Sequence, residues 1–202
     1  MARILIATSN RGKLRDFAAA AAAHGLEVET LPGFDSLPSV EEDADTFDGN
    51  ARKKAEHYSQ FAAGEIVLAD DSGLEVDALS GAPGVRSARY AAPDGQSNST
   101  DAANNARLLQ ELKNVRGERR AARFVCVIAA ARDGKTLVTV RGETRGTVLD
   151  APRGSGGFGY DPLFFYSALG KSFGELAPEE KAKVSHRGKA FRAFLEWWER
   201  QD

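Results

Sequence analysis

Two adjacent carboxylates follow an apolar run, Ile66-Val67-Leu68-Ala69-Asp70-Asp71-Ser72-Gly73. The run predicts a buried strand over 65–69, with the acids at its C-terminal end, where α/β sheets place their ligands. Like charges this close raise each other's pKa unless a cation lies between them. The pair therefore reads as a divalent-metal site, a general base, or both. Glu41-Glu42-Asp43 offers further oxygen ligands and otherwise reads as a solvated acidic loop. Mg²⁺ suits such a set, since it takes one or two carboxylates and completes its shell with substrate phosphates and water.

Three other stretches could complete a site. Thr8-Ser9-Asn10-Arg11-Gly12-Lys13 joins a first strand to a first helix. Free backbone N–H groups, small polar side chains and a Lys there suit a phosphate, or an ordinary βα turn with an Asn cap. It is not a Walker A loop, because Ala7 and Leu14 stand where Gly and Ser or Thr are required. Gly154-Ser155-Gly156-Gly157-Phe158-Gly159-Tyr160-Asp161-Pro162 spells G-x-G-x-x-G, but an apolar stretch follows instead of a helix. Its glycines and aromatic rings could hold a planar base by stacking, or form a structural turn with core aromatics. Glu179 to Lys189 is rich in charge and includes Lys181, His186 and Arg187. It could meet a polyanion, or be a solvated helix face.

Other chemistries are disfavoured. No zinc-ligand spacing exists, and no serine lies in a G-x-S-x-G elbow. The single cysteine, Cys126, excludes an intrachain disulfide and reads as a buried, inert thiol. A formal net charge of −2 argues against general nucleic-acid or membrane-surface binding. There is no signal-peptide pattern after Met1-Ala2 and no apolar run of membrane-spanning length. A cytoplasmic protein is expected.

The elements that must position these groups follow from periodicity and punctuation. A first strand is predicted at residues 3–8 and a helix at 12–24, containing six alanines from Ala18 to Ala23. A short strand follows at 26–31, then a helix from Thr46 to about Ala63. Residues 80–99 read as irregular and 100–113 as a helix. Strands at 120–131 and 136–148 are joined by Asp133-Gly134, a hairpin signal. The chain closes with an amphipathic helix at 186–200 that places Phe191, Phe194, Leu195 and Trp198 near one face. Early alternation of strand and helix with a later hairpin predicts an α/β fold with a mixed sheet, and 202 residues suit one domain or two lobes sharing that sheet.

Four motifs, in order, make the chain resemble the inosine triphosphate pyrophosphatase family. They are Thr8-x-Asn10-x-x-Lys13; Asp70-Asp71-Ser72-Gly73-Leu74-Glu75-Val76-Asp77-Ala78-Leu79 running on into Gly81-Ala82-Pro83-Gly84 and Ser87-Ala88-Arg89-Tyr90-Ala91; Gly157-Phe158-Gly159-Tyr160-Asp161-Pro162; and Ser185-His186-Arg187-Gly188. The resemblance covers nearly the whole chain, as a single domain over 1–202. It implies a long mixed central sheet with flanking helices, two lobes around an active-site cleft, and a homodimer. It also implies a Mg²⁺-dependent hydrolase of ITP, dITP, XTP and dXTP that releases pyrophosphate. By motif, Thr8, Ser9, Asn10, Arg11, Gly12 and Lys13 hold phosphates, joined by Lys54 and Lys181. Asp71 is the proton acceptor and a metal ligand, and Glu41 is the second ligand, with Glu42 as its alternative. Ser72 touches substrate, Phe158, Gly159, Tyr160 and Asp161 surround the base, and His186 and Arg187 read its 6-oxo edge. One departure stands out. Gly49-Asn50-Ala51 replaces the family's frequent Glu-Asn-Ala, which makes Asp48 a substitute acid and lends support to a non-hydrolysing nucleotide-binding module. A sister enzyme acting on pyrimidine or standard triphosphates is the third alternative.

Overall fold

A computed structural model describes residues 3–95 and 97–201, so Met1 and Ala2 lie outside the described residues. The chain opens with a βαβ arrangement: β1 (Arg3–Ile6), α1 (Arg11–Ala22) and β2 (Glu27–Thr30). Next come α2 (Phe47–Ser59), β3 (Val67–Val76) and α3 (Asp101–Glu111). The long strands β4 (Ala121–Arg132) and β5 (Lys135–Val148) meet at the Asp133-Gly134 turn, where both residues have positive φ, as a two-residue hairpin turn requires. Short strands β6 (Phe164–Tyr166) and β7 (Lys171–Ser172) precede α4 (Pro178–Val184) and α5 (His186–Trp198). The sheet has seven strands in the order β2-β1-β3-β4-β5-β6-β7. It is mixed: β1 is parallel to both β2 and β3, while β6 is antiparallel to β5 and β7. This is the expected α/β sheet with flanking helices.

The helices start where their caps dictate. Asn10, Thr46, Thr100 and Ser185 each turn a side-chain oxygen onto a first-turn backbone N–H of α1, α2, α3 and α5. Among the described residues, no helix is long and apolar enough to cross a membrane.

β3 corrects one expectation. The strand does not stop at Ala69 but runs on to Val76, so Asp70 and Asp71 lie inside it. Ser72-Gly73 looks like punctuation, yet Gly73 is there because a Cβ would overlap Ser87 Oγ and the Gly84 carbonyl. Ser87 Oγ instead accepts the Leu74 N–H at 2.9 Å and donates to Gly84 O at 2.6 Å, bracing the strand's second half. The ligand-position argument survives in another form. β1 ends level with Leu68, so the two acids stand just past the end of β3's parallel neighbour.

Two compact units divide the chain. One runs through Asp71, resumes at Cys126–Glu143 and resumes again from Ala182; the other comprises Ser72–Val125 and Thr144–Lys181. In the first, α1 packs on α5. Ala20 and Ala21 bring the helices close, and the Phe17 and Phe191 rings meet edge-on at 5.8 Å. Phe191, Phe194 and Leu195 are buried as predicted, with Trp198 half-buried beside them. In the second unit, Phe124, Phe164 and Phe173 form the aromatic centre, with ring centroids 4.5 to 5.8 Å apart.

A buried ion cluster ties the first unit together. Arg187, 1% exposed at the start of α5, donates to Asp16 of α1 at 2.7 Å and to Asp70 of β3 at 3.3 Å. Lys13 of α1 reaches the same Asp70 at 3.1 Å. Burial alone would raise the Asp70 pKa, but Lys13, Arg187 and Lys54 outweigh it and hold this carboxyl far below the ordinary range. A lowered folded-state pKa means that the unfolded chain takes up the proton first. The stabilisation is therefore complete above the unfolded value of about 4 and is lost as pH falls below it. Asp70→Asn should cost about 3–5 kcal/mol at pH 7, because Arg187 is left buried and undercompensated. Urea unfolding from pH 7 to pH 2 checks this. The variant should lose stability less steeply than wild type below about pH 4, and parallel acid limbs would sink the argument.

Candidate active site

Side chains alternate across a strand, so Asp70 and Asp71 face opposite sides of β3. Asp70 enters the α1/α5 ion cluster. Asp71 turns to α2, where Asn50 and Lys54, four residues apart, share one helix face. Asn50 Nδ2 donates to Asp71 Oδ2 at 3.2 Å, and Lys54 Nζ to Asp71 Oδ1 at 3.2 Å. Lys54 also binds Glu42 Oε2 at 2.6 Å, so one ammonium bridges two carboxylates.

The environments drive the two neighbours in opposite directions. Burial raises the Asp71 pKa and Glu42 adds to the rise; Lys54 and Lys13 resist without cancelling it. Asp70 goes the other way. Glu42 is also pushed up by burial, but Lys54 overcomes this and holds it low. Lys54, buried, is held protonated by Asp71 and Glu42 against the cost of its own burial. A carboxylate made more basic beside one kept ionised is the pattern by which acid–base roles are separated.

The two adjacent acids of the loop differ in their surroundings. Glu41 is exposed, and Glu42 is the acid that joins Lys54 and Asp71. Asp48, the expected substitute acid, pairs with Arg52 at 2.8 Å on the surface of α2. Gly49 has a packing reason of its own: a Cβ would lie 2.7 Å from Ala44 Cβ. Asn50 holds that turn by accepting from Ala44 N at 3.0 Å and donating to Ala44 O at 3.3 Å.

In the 8–13 turn the cap is realised. Thr8 Oγ1 accepts the Asn10 N–H at 3.2 Å, and Asn10 Oδ1 accepts those of Gly12 and Lys13 at 2.9 and 3.1 Å. Ser9 and Arg11 are exposed. The charge run, readable as a solvated face, is divided: Lys181, His186 and Arg187 are buried, while Glu179, Glu180 and Lys183 are exposed. Arg187, expected at a base edge, has its guanidinium on Asp16 and Asp70, because helix α5 starts against those two acids. Gly142 of β5 lets the α5 backbone approach this closely, since a Cβ there would overlap His186 O and Ala190 N.

The second unit carries Ser72 and the Gly-rich loop. Ser72 is half-buried. Asp161, buried, accepts the Phe158 N–H at 2.8 Å and the Lys181 ammonium at 2.7 Å. That ammonium lies 5.0 Å from the Phe158 ring centroid, a cation–π arrangement. Tyr160 is buried and donates its hydroxyl to Ser87 O at 2.9 Å. Gly159 is held from α3 by Asp101 and Asn105.

Sequence reasoning passed over Asp16, Asn50, Asp101 and Asn105. Asn50 was legible as the i−4 neighbour of Lys54, and Asp16 as the i+3 neighbour of Lys13. Nothing local marks Asp101 or Asn105. Among the described residues, no group of three or more His, Cys, Asp or Glu side chains could hold a metal ion. The oxygen donors at hand are the Asp71 and Glu42 pair.

Comparison with known proteins agrees with this architecture. The Ham1 family model matches residues 4–197. A dITP/XTP pyrophosphatase of Geobacillus kaustophilus is 50% identical over 199 residues, covering 98% of this chain and 95% of that protein. One of Acidobacterium capsulatum is 47% identical over 196 residues, covering 95% and 96%. The structure of the Staphylococcus aureus Ham1 protein matches with a TM-score of 0.81 at 38% identity, each chain covered over 100% of its length. Its sheet, its paired carboxylates and a match along nearly its whole length make this chain a member of the Ham1 family.

Proposed function

We propose that this chain is a nucleoside triphosphate pyrophosphatase, acting on ITP, dITP, XTP and dXTP to give the monophosphate and pyrophosphate. The observation that carries the reading is the split of Asp70 and Asp71. One carboxylate is locked in an ion cluster, and its neighbour is made more basic and held by Asn50 and Lys54. Relatives of about half-identical sequence named dITP/XTP pyrophosphatase support the substrate class.

Asp71 is assigned as general base. Its raised pKa strengthens it as a proton acceptor, and Lys54 beside it favours the ionised form it needs. It takes the proton of a water directed at the α-phosphorus. Asn50 fixes the carboxylate's second oxygen, so the acceptor keeps one orientation. Lys13, on Asp70 at 3.1 Å, and Lys54 are the cations assigned to the phosphates, with the 8–13 turn.

Asp71 and Glu42 fit a hard divalent cation such as Mg²⁺ by donor chemistry: two carboxylates gathered about one positive charge, that of Lys54, and a cation that takes one or two carboxylates and fills its shell with substrate oxygens and water. Bound there, Mg²⁺ would neutralise charge on the triphosphate. Glu42, rather than Glu41, is the second ligand in this reading.

Phe158 to Asp161 are assigned to the base, with Lys181 paired to Asp161, and His186 to the 6-oxo edge. Donors aimed at a 6-oxo group find an acceptor in hypoxanthine and xanthine and an amino donor in adenine. Ser72 is assigned to the substrate. The chain is assigned as one catalytic domain over 1–202, working as a homodimer in the cytoplasm, as the family resemblance implies. The non-hydrolysing alternative loses its one support, since Gly49 is accounted for by packing against Ala44.

Purified protein with Mg²⁺ and a panel of ITP, XTP, dUTP, ATP and GTP tests the reading. Pyrophosphate and monophosphate should form from ITP and XTP well ahead of the others. Orthophosphate release would contradict attack at the α-phosphorus, and no turnover of any nucleotide would leave a binding module. Asp71→Asn should lower turnover of XTP by at least about 100-fold while the thermal transition stays cooperative. Activity near wild type would remove Asp71 as the base.

A further inference from the structure

The loop assigned to the base, residues 157–161, has no strand or helix of its own ahead of Asp161. Gly157 and Gly159 within it, and Gly154 just ahead of it, have positive φ, so the free chain would populate many conformations. Its order must come from outside. Phe158 N–H is held by Asp161 and the Tyr160 hydroxyl by Ser87 O, but Gly159 between them offers no side chain.

Helix α3 supplies what is missing. Asp101 Oδ2 accepts the Gly159 N–H at 2.7 Å, and Asn105 Nδ2 donates to the Gly159 carbonyl at 3.0 Å. Asp101 and Asn105 are four residues apart, so both project from one face of the helix. Together they satisfy the donor and the acceptor of a single peptide residue. The partner being a carbonyl assigns the Asn105 amide: the nitrogen must face the loop. It keeps that orientation although its own Oδ1, buried, accepts no hydrogen bond among the described residues. The helix is itself anchored, because Asn104 accepts the Ala91 N–H at 2.8 Å and donates to Ala88 O at 3.2 Å. Ala88 lies within, and Ala91 just after, the 84–89 turn whose Ser87 carbonyl receives the Tyr160 hydroxyl.

We propose that Asp101 and Asn105 are positioning residues, a two-point clamp on Gly159 that presets the Phe158–Tyr160 pair for the nucleobase. The role rests on the reading that this loop meets the base. The clamp acts by removing loop freedom before the nucleotide arrives, so its loss falls on binding rather than on the chemical step.

Steady-state kinetics with XTP test it. Asp101→Ala and Asn105→Ala should each raise KM about tenfold while kcat stays within about threefold. Asp101→Asn, which keeps an acceptor oxygen but loses the charge, should return KM close to wild type. If Asp101 acts only through its charge at the start of α3, the Asn variant will be as impaired as the Ala variant, and the clamp is overturned. A loss in kcat with KM unmoved overturns it too, as does no change in either. Hydrogen exchange gives a readout independent of turnover. The 157–161 amides should exchange faster in both Ala variants, and unchanged exchange refutes the clamp. Faster exchange in a protein that turns over no nucleotide would uphold the clamp and sink only the catalytic reading.

Discussion

A carboxylate buried among cations sets the terms for the first unit. Asp70 sits in the middle of β3, and three positive groups converge on it from α1, α2 and α5. Two of them, Lys13 and Arg187, touch it directly. An ionised acid in an apolar sheet is tolerated only when such partners surround it. The requirement is mutual. Arg187 could not be buried at the start of α5 without Asp70 and Asp16, and α5 could not lie so close to β5 with any side chain at position 142. The cluster thus fixes how the first and last helices pack on the strand that carries the acids.

The same strand then separates two chemistries one residue apart. Alternation sends Asp71 away from the cluster, toward Asn50 and Lys54 on α2. Its remaining company includes Glu42, a like charge, and burial dominates its titration. The adjacent acids therefore do not share a proton-binding site. One is structural and ionised; the other is the more basic and the one suited to accept a proton. Cys126, whose Sγ is 3.9 Å from Asp70, has its thiol pushed far up by burial first and by that carboxylate second, which keeps it inert.

The second unit solves a different problem, the ordering of a glycine-rich loop. Its aromatic centre is Phe124, Phe164 and Phe173. Polar groups hold the loop: Asp161 on Phe158 N–H and Lys181, Tyr160 on Ser87, and the α3 pair on Gly159. The turn containing Ser87 does double service, since the same serine braces β3 through Leu74.

The residues by themselves determined the order of elements from β1 to β5, the hairpin at Asp133-Gly134, the apolar face of α5 and the presence of two acids by a buried strand, but not β6, β7 or α4. These rest on local periodicity and turn chemistry, which a linear reading captures. The four motifs of the resemblance also singled out Asp71, Lys13 and the 158–161 loop. Tertiary structure alone decided the rest. It showed that β3 continues past Gly73, because the obstacle to a Cβ there comes from residues 84 and 87. It brought Glu42 to Lys54, since which of two adjacent loop acids reaches that ammonium depends on the path of a loop with no periodicity. It turned Arg187 inward onto acids 171 and 117 residues away in sequence. A charge run looks the same on paper whether it is solvated or buried. Only the partners brought to it by folding make burial affordable, and those partners are distant in the chain.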